Sequence, residues 1–104
     1  MARIEIWKCK LAWRALSLDE RRALLRRLGA LVERNRRDDG LGESGPFLVQ
    51  KGGSDLLVWS TEASKAEATA QCARIGLDTY FEPLAYATAT GTLTARTLAR
   101  KLSD

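Results

Sequence analysis

Tyr80, Glu82 and Tyr86 stand at even spacings in "GLDTYFEPLAYATATG", residues 76–91. In a strand with simple alternation, such positions share one face. Trp7, Trp13 and Trp59 add large, flat, partly polar side chains elsewhere in the chain. Together these residues suit the wall of a pocket for an aromatic or other hydrophobic small molecule. Glu82, with Tyr80 beside it, is the candidate for proton transfer, because a carboxylate set among aromatics is suited to that work. Glu5 shares a strand face with Trp7 and is a second, weaker carboxylate of the same kind. The aromatics serve equally well as core or interface residues. Pro83 can turn Glu82 to solvent, and Trp13 can pin the loop after the first strand.

What is missing narrows the chemistry further. The 104 residues include no histidine, which removes Ser-His-Asp and Cys-His catalysis, a proximal haem histidine and the two-histidine iron site. Cys9 and Cys72 lie far apart without CxxC spacing, so no zinc site is expected and both read as buried, reduced thiols. No cofactor is called for. The net charge is +4, with eight arginines between Arg14 and Arg37 against Asp19, Glu20 and Glu33. These arginines alternate with leucines at helical spacing and have no aromatic stacking platforms, so they read as a solvated helix face rather than a nucleic-acid surface. No apolar run approaches the roughly 20 residues of a membrane helix. "MARIEIWKCK" lacks the basic and apolar regions of a secretory signal, and the expected location is the cytoplasm.

The elements that must position these residues follow from periodicity. "ARIEIWKC" alternates and reads as a strand. Ser17 and Glu20 form a capping-box pattern, which predicts a helix from about Leu18 to about Arg36 with Leu24, Leu25, Leu28, Leu31 and Val32 in one stripe. "DDGLGESGP" reads as a loop, and "FLVQKGGSDLLVWS" as two strands joined at Gly52-Gly53. A second helix over "TEASKAEATAQCARIG" carries a small stripe of Ala63, Ala66, Ala70 and Ala73 and ends at Gly76. A fourth strand follows, and residues 92–104 form a C-terminal extension, read as a short helix after a domain spanning 1–91.

The order β-α-β-β-α-β predicts an α+β, ferredoxin-like fold: a four-stranded antiparallel sheet with two helices on one face. Both strand faces are largely apolar. Ile4 and Ile6 oppose Trp7 and Cys9, and Leu56 and Val58 oppose Leu57 and Trp59. Two helices cover one face only, so the other is expected to meet a second copy, forming a homodimer with a ligand cavity between the sheets.

The pattern resembles the dimeric α+β-barrel superfamily. More narrowly, "AWRALSLDERRALL", "LLVWS" and "GLDTYFEPLAYATATG" resemble a bacterial family of unknown function, with an Ala-Trp pair before a Leu-Ser helix start and a Tyr-Phe-Glu segment after the second helix. The resemblance covers most of residues 3–91. The chain departs from the pattern after Glu82, where Pro83-Leu84-Ala85 stands. The resemblance implies the barrel dimer, in a superfamily that includes monooxygenases, isomerases, haem proteins and polyketide cyclases. The first functional expectation for this chain is a cofactor-independent enzyme of isomerase, cyclase or monooxygenase type acting on a hydrophobic or aromatic small molecule in the barrel cavity. The alternative is a non-catalytic ligand-binding or interaction dimer.

Overall fold

The computed structural model describes residues 1–36 and 43–103. Part of the glycine-rich loop, residues 38–42, lies outside them. Four strands, β1 (Ala2–Cys9), β2 (Phe47–Lys51), β3 (Ser54–Glu62) and β4 (Phe81–Thr88), form one sheet in the order β2-β3-β1-β4. Every neighbouring pair is antiparallel. The fold is α+β, as the element order predicts.

The local signals explain where the elements begin and end. Helix α2 (Leu18–Arg34) starts at a complete capping box: the Ser17 hydroxyl accepts from the Glu20 N–H, and the Glu20 carboxylate accepts from the Ser17 N–H. That bond, above all, holds the Glu20 carboxyl below its ordinary range. A four-residue helix that periodicity does not show, α1 (Leu11–Arg14), precedes it and carries Trp13 inward. The β2–β3 hairpin turns at Gly52 and Gly53, both at positive φ, where a side chain would be strained. Thr61 and Glu62 belong to β3, not to the second helix. That helix, α3 (Ala66–Arg74), begins after a single 3₁₀ turn at Ala63–Lys65. Its stripe is therefore Ala66, Ala70 and Ala73, and Ala63 is exposed. Gly76, at φ 73°, follows the helix C-cap Ile75.

Two cores lie on the two sheet faces. Beneath α2 and α3, Trp7, Leu57, Trp59 and Phe81 pack with Trp13, Leu28, Val32, Ala73 and Leu77. Burial of a side chain such as Leu28 or Phe81 stabilises by about 2 kcal/mol. The second face holds Ile4, Val49 and Val58 against Ala95 and Ala99 of α4 (Ala95–Ser103), with Phe47, Leu56, Leu98 and Leu102 around them. The expectation that a second copy must cover the whole of this face is thereby corrected. The thirteen C-terminal residues read as an extension hold a helix that covers the β2–β3 half, because its small Ala95 and Ala99 let it lie close on the strands. The β1–β4 half of the same face, with Ile6, Ala85 and Ala87, is not covered by α4.

Candidate functional site

β4 departs from simple alternation, and this decides the site. Ile6 pairs with Ala85, but Trp7 pairs with Pro83, so Leu84 is an extra residue in the ladder. Proline has no N–H for the ladder, and a bulge accommodates it. Residues opposite one another in an antiparallel pair share a face. Tyr86, opposite Glu5, thus faces the α2–α3 side, whereas Glu82, opposite Lys8, faces the other. The expected common face for Glu82 and Tyr86 is corrected: one inserted residue exchanges the faces.

The expected site residues are therefore dispersed. Trp7 and Trp59 are wholly buried, with ring centroids 4.9 Å apart. Their indole N–H groups have no hydrogen-bond partner among the described residues, and what they contribute is core packing. Trp13 is equally buried. Its N–H donates to Asp55 at 3.2 Å, and its ring lies 5.2 Å from that of Phe81. Tyr80 is half-buried before β4, where its carbonyl accepts from the Lys10 N–H at 2.7 Å. Glu82 is exposed. Only Tyr86 of the six lines the groove between α3 and β4, together with Glu5, the second carboxylate singled out from the sequence.

That groove has a volume of about 480 Å³, within the range of roughly 300–1,000 Å³ typical of small-molecule sites. Arg3 and Glu5, two positions apart on β1, project from one strand face into its floor. Glu5 is buried, and both its oxygens accept from Arg3: Nε to Oε2 at 3.0 Å and Nη2 to Oε1 at 3.3 Å. Arg3 also reaches Glu67 at 2.9 Å, and Tyr86 lies over its guanidinium with the centroid 4.2 Å away. The Glu5 hydrogen bond, before all other contributions, raises the Arg3 pKa further above its ordinary value. Glu67, Ala70 and Arg74 come from α3 at i, i+3 and i+7, so one helix stripe forms a wall. Ala70 keeps that wall low. Pro83, Leu84, Ala85 and Tyr86 form the opposite one.

No protein family, curated protein or solved structure matches the chain. The site therefore rests on its geometry. Sequence reasoning missed Arg3, Asp55, Glu67 and Arg74. The 67–70–74 spacing is readable as a stripe, but nothing in sequence shows that α3 turns it towards β4. Arg74 is exposed, and its side chain has no hydrogen-bond or ion-pair partner among the described residues. Its guanidinium is the free cation of the groove. Among the described residues no cluster of three His, Cys, Asp or Glu side chains is placed to hold a metal ion, and no helix is long and apolar enough to cross a membrane.

Proposed function

We propose that this protein binds a small molecule with an apolar or aromatic body and a carboxylate, in the groove between α3 and β4. The observation that carries this reading is the division of labour among the groove's charges. Arg3 is engaged by Glu5, Glu67 and Tyr86, which fixes the floor. Arg74 at the rim keeps its donors for a ligand, and a guanidinium matches a carboxylate in a two-point contact. Leu84, Pro83 and Tyr86 offer the body of such a ligand an apolar wall. Binding is favoured over catalysis because Glu5, the groove's buried carboxylate, has both oxygens occupied, while Tyr80 and Glu82 do not line it.

Ligand-observed NMR with benzoate, cyclohexanecarboxylate and benzylamine tests the proposal. Both carboxylates bind and the amine does not. Arg74→Ala weakens the carboxylates about tenfold, the worth of one charge-assisted contact, and leaves the melting temperature unchanged. Equal binding of the amine, or no effect of Arg74→Ala, contradicts it.

One observation favours a second element of the proposal, the homodimer. Five successive β4 residues, Glu82–Tyr86, are exposed, so both faces of this edge strand meet water, with Leu84 58% and Tyr86 67% accessible. A second copy against β4 would cover this apolar surface and wall the open side of the groove. Pro83 and the bulge oppose simple edge-to-edge strand addition, so the copy would pack on the side chains of β4 rather than extend its ladder. Sedimentation at micromolar concentration showing only the 11.5 kDa species would remove this element and leave the binding test standing.

A further inference from the structure

At the opposite end of β1 from Arg3, a second groove of about 220 Å³ opens between α1 and the tip of the β2–β3 hairpin. Its lining includes Lys8, Lys10 and Arg14, the bare turn residue Gly53, and Ser54, and no carboxylate. We propose that this groove binds a phosphate group carried by a small molecule. Lys10 is held in place by donating from Nζ to the Asp78 carbonyl at 2.9 Å; an ammonium so held retains two further donors. The side chains of Lys8 and Arg14 have no hydrogen-bond or ion-pair partner among the described residues. The Arg14 guanidinium lies over the hairpin turn, with Nη2 3.8 Å from where a side chain at Gly53 would begin. Glycine there leaves the turn backbone open beside the cation, and Ser54 adds a hydroxyl at its edge.

Among the described residues, none of the neighbouring acids forms an ion pair with this set. Asp55 accepts the Trp13 indole N–H at 3.2 Å. Glu82 is opposite Lys8 in the ladder but makes no ion pair with it. Asp78 meets Lys10 through its backbone carbonyl. Three cations around one small concavity match a group with a charge near two and three acceptor oxygens better than they match a carboxylate. No aromatic side chain lines the groove as a stacking surface for bases, which favours a small phosphate ester over a nucleic acid strand. The inference is independent of the α3–β4 groove and shares no lining residue with it.

The test is a two-dimensional NMR titration of the ¹⁵N-labelled full chain with inorganic phosphate and with pyrophosphate, at ionic strength held constant with sodium chloride. The proposal expects saturable shifts at the Gly53, Ser54 and Lys10 amides. Lys8→Gln and Arg14→Gln, both at exposed positions, each weaken binding about tenfold, as loss of a charged hydrogen-bond donor should. Arg22→Gln, at an exposed position of α2, leaves affinity unchanged, and all three variants melt like the parent. Shifts that never saturate, or that are as large around Arg22 and Arg26 as around Gly53, would overturn the proposal. So would affinity indifferent to Lys8→Gln and Arg14→Gln. Tighter binding of a single-stranded oligonucleotide than of pyrophosphate, with a steep salt dependence, would also overturn it.

Discussion

Arg3→Met should destabilise the fold far more than a surface substitution does. The Glu5 side chain is only 4% accessible and Arg3 21%. Removing Arg3 leaves a carboxylate in the groove floor without the partner that engages both of its oxygens. Breaking a fully buried pair costs about 3–5 kcal/mol. The partial exposure of Arg3 lets water reach the orphaned carboxylate, and this lowers the expectation to about 2–3 kcal/mol. The Arg3–Glu67 bridge adds little, because Glu67 is 81% accessible. For a domain of this size, 2–3 kcal/mol is a fall in melting temperature of roughly 10–15 °C. Urea unfolding at neutral pH measures it, with an unchanged slope showing that the unfolded state is the same. Arg3→Met combined with Glu5→Leu removes both charges and should recover most of the loss, since apolar replacement of a buried pair is often neutral. A loss below about 0.5 kcal/mol for Arg3→Met, the range of ordinary surface changes, would refute the reasoning. A double variant no more stable than the single one would refute it equally.

Gly29→Ala should stabilise α2 by about 0.5–1 kcal/mol, from helix propensity, because the added methyl would meet only Pro46 Cδ at 3.6 Å; thermal unfolding measures the gain, and a loss would show that the contact is tighter than it stands. Burial, before all other causes, pushes the Cys9 thiol from 9.0 up to about 12. Above pH 9 the unfolded chain therefore releases a proton that the folded chain keeps, and stability falls as pH rises from about 9 towards 12. Cys9→Ala should flatten that part of the pH profile. Cys72, expected from the sequence to be buried, is exposed, so at pH 8 iodoacetamide should label it and leave Cys9 unmodified, as mass spectrometry of the peptides will show.

Local chemistry was the legible part of this fold. Ser17 and Glu20 announce a helix start because the cap is made within four residues. Gly52-Gly53 and Gly76 mark turns because positive φ excludes other residues there. Long-range consequences were not legible. Pro83 signals an irregular strand but not where the extra residue falls, and its place at Leu84 separates Tyr86 from Glu82. Glu5 was readable as a candidate carboxylate beside Trp7, but Arg3 looks like an ordinary strand charge until β4 and α3 close over the pair. The three tryptophans are suited to either a pocket or a core, and only the packing of α1, α2 and α3 puts them in the core. The apolar second face was readable, but not that Ala95 and Ala99 would bring α4 onto half of it.

The most direct test of the account is where a simple aromatic carboxylate binds. Two-dimensional NMR of the ¹⁵N-labelled protein titrated with benzoate reads this residue by residue. The account predicts saturable shifts at Ala70, Arg74 and Leu84–Tyr86, abolished by Ala70→Leu, which fills the groove between α3 and β4. Shifts centred elsewhere, or shifts in the groove that survive Ala70→Leu unchanged, would contradict it.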